Sequence, residues 1–168
     1  MAGELSILGA IVRLGEMVVA VKIEEHEAMK RAALIVEKEA KREIGHYQEE
    51  AGPFAAWAML ADSTVAEKQA LGYAPPDNPL LRKGDLRDSI GHAVSEAGAF
   101  HAEAVVGSNS DIAVYQELGT EKMPPRSFLG GAAVRSGKKV AEAVGGGVIA
   151  ALIGREVING HLPLIGSE

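Results

Sequence analysis

No proline occurs between Glu4 and Tyr47, and glycine is only scattered there. That absence constrains the fold more than any other feature, because proline removes a backbone donor and breaks a helix interior. The stretch therefore reads as one long helix over 1–47, bent or split near Gly15. Its second half carries the charges of a solvated helix. Glu27 with Arg31, and Glu37 with Lys41, stand four apart with the acid first, the better order for helix ion pairs. Ala33, Val36, Ala40 and Ile44, with Met29 above them, form its best apolar face, whereas Ala28, Ala32, Ile35, Glu39 and Arg42 make no clean stripe. A helix this long exceeds the needs of a core for 168 residues. Its surplus apolar positions Leu5, Leu8, Val12, Val19 and Ile23 are expected to meet a neighbouring subunit. Arg13, Glu16 and Lys22 interrupt the apolar run, and the start lacks the basic opening and cleavage site of a signal peptide, so neither a membrane span nor a secreted chain is expected.

The rest of the chain is punctuated. Gly45, Gly52 and Pro53 end the first segment. Trp57, Leu60 and Ala61 fall at helical spacing, and Thr64 with Glu67 offers a capping box for a second helix through Leu71. A stiff loop, Gly72 to Pro79, separates this helical half from a mixed half. Ile90, His92 and Val94 alternate with smaller residues as a strand does. Glu96 to Ala99 reads as a turn and Phe100 to Val106 as the return strand. A short helix is expected from Ala113 to Leu118, an extended stretch from Met123 to Ser127, and a last helix from Phe128 to Val144. The run Gly145-Gly146-Gly147 is expected to break that helix and leave 145–168 as a C-terminal arm. The sum is a single α+β domain over 1–168: a long N-terminal helix, a small antiparallel sheet with a central hairpin, and a C-terminal helix packed on the sheet.

Chemistry is sparse. The net charge is −6, which argues against broad nucleic-acid binding, although Arg82, Lys83 and Arg87, and Arg135, Lys138 and Lys139, form local basic clusters. No cysteine is present, so disulfides and thiolate metal sites are excluded, consistent with folding in a reducing cytoplasm. His101 and Glu103 share a strand face with His92 opposite, the beginning of a metal site or of a small metal-dependent hydrolase, but metals need three or four convergent ligands. Ser89, Ser108 and Ser127 lie in no nucleophile elbow. Asp85 and Asp88 flank Arg87 without an aromatic cleft, and Asp85 suits a turn or helix cap. The glycine run has no Lys-Ser or Lys-Thr after it, so it is no phosphate loop. The residues name no catalytic, cofactor or metal site.

Four segments in order carry a likeness. Gly84, Leu86, Ser89 and Ile90 form a Gly-x-Leu-x-x-Ser-Ile entry to a strand. Ala113-Val114-Tyr115-Gln116-Glu117-Leu118-Gly119-Thr120 follows the hairpin. Pro124, Arg126, Phe128 and Leu129 form Pro-x-Arg-x-Phe-Leu before the last helix. Trp57 and Leu60 stand ahead of Thr64 and Lys68. In this order they resemble the neck and tail-completion proteins of long-tailed bacteriophages, which include the virion morphogenesis proteins of Mu-like and lambda-like phages. The first helix is longer and more apolar at its start than in that pattern, and the tail after Gly145 has no counterpart in it. The resemblance implies an assembly part rather than an enzyme, without cofactors. It implies a ring of six copies, or alternatively twelve, at the head–tail junction or tail top of a virion assembled in the host cytoplasm. Its partners would be other neck, head-completion and tail-tube or terminator proteins, with DNA passing through the ring. A tail-terminator or head-closure role is the alternative. Tyr115 and Arg126, residue types favoured at interfaces, join Leu5, Leu8, Val12 and Val19 as the expected contact residues. Phe128 is expected to plug the core under the hairpin.

Overall fold

The computed structural model describes the backbone of residues 7–98 and 101–153 and the side chains of 23–95 and 102–146. The first helix, α1, runs from Ile7 to Glu43 without a break at Gly15. Gly45 ends it with φ +96° and donates its amide to Pro79 O at 2.8 Å. A short helix α2 (Asp62–Ala70) and a single turn α3 (Asp85–Asp88) follow. Strands β1 (Ile90–Gly98) and β2 (His101–Ser108) form an antiparallel pair, with Ile90 opposite Ser108 and a register shift between Glu96 and Gly98. Helix α4 (Asp111–Leu118) and a long α5 (Phe128–Ile153) complete the chain. The expected α+β architecture is the one the chain adopts.

Helix α1 lies between two neighbours. Both strands pack along it, and so does α5. Arg135 pairs with Glu43 at 2.8 Å and the Lys139 charge acts on Glu39, so α5 runs antiparallel to α1. This double coverage corrects the narrow face expected of α1. Ala28 and Ala32 are buried as well as Ala33, Ala40 and Ile44, because two faces of the helix are in use. Alanine at these positions lets both partners approach closely. The core joins Ala40 and Ile44 to Trp57, Leu86, Ile90, Ala113, Ala132 and Phe128, with Val106 of β2 packed against it. Phe128 is fully buried and is where the start of α5 enters the same core as the sheet.

Four local expectations change. Residues 52–61 are not helical despite the spacing of Trp57, Leu60 and Ala61. They cross the core end instead, tied by Trp57 N to Gln48 O at 2.9 Å and Leu60 N to the Tyr47 hydroxyl at 3.0 Å. Helix α2 starts at Asp62 with Ala61 at its cap and no side-chain capping bond, so the Thr64–Glu67 box does not form. Arg31 pairs with Glu24 at 2.7 Å rather than with Glu27, while the Lys41–Glu37 pair forms at 2.6 Å. The glycine run also fails to stop α5, which continues through Gly145, Gly146 and Gly147 to Ile153. Alanine, valine and isoleucine around the run propagate the helix, and three glycines at a cost of about 1 kcal/mol each do not outweigh a long helix docked on α1. The proposed arm at 145–168 is thus helix in its first part, and residues 154–168 lie outside those described.

Glu43 is fully buried, with one carboxylate oxygen bound by Arg135 and the other without a partner. Burial pushes its pKa up to about 7, against the opposing pull of Arg135. The folded state holds this proton more tightly than the unfolded chain, so its stabilising contribution is complete below the unfolded value near 4.5. It is lost as pH rises through about 7. Glu37 and Glu39 move the other way. Lys41 and then His92 hold Glu37 down, and Arg42 holds Glu39 down. Their contributions are present above pH 4.5 and are lost as pH falls below it. Urea unfolding between about pH 5 and pH 8 will therefore show wild-type stability falling relative to Glu43→Gln as pH rises. Parallel profiles for the two proteins would exclude a titrating Glu43.

A methyl group added at Gly145 or Gly146 would meet no neighbouring atom. Gly145→Ala and Gly146→Ala should each raise stability by about 1 kcal/mol. Phe128→Ala should lower it by about 3–5 kcal/mol through lost burial and a residual cavity. Thermal unfolding separates the two directions. A lower melting temperature for the alanine-for-glycine variants would mean that the glycine run is not helical in solution.

Candidate functional site

An isolated helix of eight residues is marginal in water, so α4 depends on its attachments. It has four. Gly119 N bonds to Tyr115 O at 2.9 Å and closes the last turn. The Arg126 amide donates to Gln116 O at 2.6 Å. The Ser127 hydroxyl donates to Glu117 O at 2.9 Å. Finally, the Glu117 carboxylate accepts the amides of Leu129 at 2.9 Å and Gly130 at 2.8 Å. These last two are free donors in the first turn of α5, where a negative charge also meets the positive end of the helix dipole. One acidic side chain from α4 therefore caps α5 from outside.

The link between these helices leaves no room for other residues at Gly119. Its φ is +76°, and a Cβ there would stand 2.8 Å from Pro125 N and 2.9 Å from Met123 O. The positive φ matches the expectation for this glycine, although its ψ of 179° is extended rather than helical. Thr120 and Met123 bridge across the turn. The segment Tyr115 to Phe128 is thus a locked joint. The strand-entry motif has a similar role: Gly84 takes φ +101° before α3, Leu86 and Ile90 are buried, and the Ser89 hydroxyl meets Leu86 O and the Ser108 hydroxyl, each at 2.7 Å.

With Ala113 turned into the core, four apolar side chains of α4 face solvent. Ile112, Val114, Tyr115 and Leu118 are 56%, 53%, 54% and 74% exposed. Exposed apolar side chains gathered on one short, immobilised helix mark a contact surface. Tyr115 is exposed and open to contact. Arg126 is not. It is 4% exposed and donates to Ala58 O at 3.0 Å and Met59 O at 3.4 Å, so the expected partner-facing guanidinium instead holds the 57–61 segment to the joint. Burial lowers its pKa. Leu5 lies outside the described residues, as do the side chains of Leu8, Val12 and Val19 on α1. Ile112, Val114, Leu118 and Glu117 were not singled out from the sequence. The signal available was the density of apolar residues in a segment too short to bury all of them.

Beside α4 lies a groove of about 610 Å³ between α2, the 78–86 segment and residues 122–126. Lys68 lines it and is 2% exposed, donating to Asn78 O at 2.5 Å. Among the described residues no group of three or more metal-binding side chains occurs, and no helix is long and apolar enough to cross a membrane. His92 is bound to Glu37 of α1 and Glu103 points to solvent, so the described part of the suggested His92, His101 and Glu103 site does not converge. Comparison with protein-family models, curated proteins and solved structures gives no match.

Glu117→Gln keeps the shape of the cap and removes its charge. It should cost about 1 kcal/mol, with Glu117→Ala costing about 2 kcal/mol. Arg126→Ala should also lower the melting temperature, since it removes the bonds by which the guanidinium holds the Ala58 and Met59 carbonyls and leaves a space where the buried side chain stood. An Arg126→Ala protein as stable as wild type would return Arg126 to the surface role.

Proposed function

We propose that this chain is a structural subunit of a tailed-phage virion, forming a closed ring at the head–tail junction or the top of the tail and acting in tail completion and head–tail joining. The observation that carries the reading is the exposed stripe Ile112, Val114, Tyr115 and Leu118 on a helix held rigid by the joint behind it. The phage likeness itself rests on the four ordered motifs of the sequence. Two of them build that joint and a third builds the strand entry, so residues that carry the likeness also position the stripe. A patch that meets a different surface on the next copy generates a ring when the rotation closes. The protein would assemble in the bacterial host and reside in the virion, contacting other neck and tail proteins, with DNA passing through the ring rather than being read by sequence.

Native mass spectrometry and particle imaging should show multiples of six copies, or twelve, alone or with a neck or tail partner. Tyr115→Glu combined with Leu118→Glu should leave the circular dichroism spectrum unchanged and abolish assembly, because both side chains face solvent in the single chain. Rings formed normally by that double variant would move the interface away from α4. A phage lacking the gene should accumulate filled heads unjoined to tails, and normal infectious particles from it would reject the role.

A further inference from the structure

Two buried cations line the groove beside α4. Lys68 is 2% and Arg126 4% exposed, and among the described residues neither forms an ion pair. Lys68 and Arg126 are held only by backbone carbonyls, and Asp77 acts on Lys68 through space without contact. Buried charges are ordinarily paired, because removing a lone ion from water is costly. Here no carboxylate of the described residues bonds to either cation, although Glu67 and Asp85 line the groove and Glu67 pairs with Arg82 at 3.1 Å. Arg126 Nε and Gln116 Oε1, both from groove-lining residues, are also two of the four buried side-chain polar atoms without a partner among the described residues.

The rest of the groove specifies what would supply the missing charge. Five cationic side chains against two carboxylates line it, on a chain whose net charge is −6. Arg82, Lys83 and Lys122 form its exposed cationic rim. Its floor is apolar, with Leu80, Leu81 and Met123, and Met59 and Ile112 stand exposed at its edge. We propose that this groove docks an acidic segment of a partner protein, which lays an apolar side chain on the floor and sets its carboxylates against the rim and towards Lys68 and Arg126. Three exposed cations over an apolar floor fit such a segment better than a nucleic acid, whose affinity grows with the number of phosphates neutralised. A volume of this size accommodates several side chains. Arg126 Nε and Gln116 Oε1 are covered in the free chain, so attraction comes from the buried charge and the rim rather than from open donors. The site adjoins the α4 contact that would close a ring and shares Ile112 with it, whereas Tyr115 and Leu118 do not line the groove.

The test uses the full chain and a pool of fluorescein-labelled peptides in which one Leu or Phe is flanked by Asp and Glu. Matched peptides carrying Asn and Gln in their place, and a single-stranded oligonucleotide, serve as comparison probes. Fluorescence anisotropy should show saturable binding of acidic peptides, weakening with added salt, and at least about tenfold weaker binding of the amide peptides. Arg82→Glu with Lys83→Glu should weaken acidic-peptide binding by at least about tenfold, since both residues are exposed and their reversal leaves the core untouched. Lys68→Met should weaken it as well. Tyr115→Glu with Leu118→Glu should leave it unchanged, which separates this site from the ring contact. No saturable acidic-peptide binding, equal binding of the amide peptides, tighter binding of the oligonucleotide, or indifference to the rim reversal would each overturn the proposal.

Discussion

A two-stranded antiparallel sheet is not stable by itself in water, and among the described residues β1 and β2 have no third strand. One face of the pair is covered by α1, and α1 is also packed against α5. The whole domain depends on that shared helix. Small side chains on two faces of α1 permit the double contact: Ala28, Ala32, Ala33 and Ala40 are all buried. The polar groups inside the contact are then obliged to find partners. Glu43 has Arg135, His92 has Glu37, and Glu25 accepts the Ala102 amide at 3.1 Å. Glu43 is only half satisfied, its second oxygen being without a partner among the described residues, and burial raises its pKa.

The same economy governs the joint between α4 and α5. Gly119 allows the chain to reverse against Pro125, Glu117 reaches across to cap α5, and Arg126 ties in the segment after Trp57. Phe128 sits fully buried at the point where these meet. Each of these residues is occupied inside the fold. Among the described residues, the outer side of α4 and the cationic groove next to it remain open to other molecules. A rigid scaffold presenting one apolar stripe suits a protein whose work is to hold other subunits in place. It offers no grouping of acid, base and nucleophile among the described residues.

Surface and interior roles are divided in an unexpected way between two residues of one motif region. Tyr115 is exposed and Arg126 is buried, though both are types common at interfaces. A guanidinium can serve inside a fold when carbonyls are presented to it, and the irregular 57–61 segment presents two. Lys68 is held in the same manner by Asn78. Irregular backbone next to a groove thus supports buried cations that regular helix or strand, with its carbonyls already paired, does not.

The sequence by itself determined the elements that obey local rules. The proline-free start had to be helical, Gly45 and Gly119 had to end helices, and alternation at Ile90, His92 and Val94 read as a strand. The burial of Phe128 was legible from its place after a proline pair at the head of a helix. Tertiary structure decided what depends on a distant partner. Thr64 and Glu67 had the spacing of a capping box, but α2 began two residues earlier. Gly145 to Gly147 had the composition of a break, but α5 carried through them. Arg126 had the chemistry of an interface, and only the approach of Ala58 and Met59 turned it inward. Periodicity and turn chemistry act over a few residues and are written in the order of the chain. Charge pairing and burial act across the chain, and are settled only when segments far apart in sequence meet.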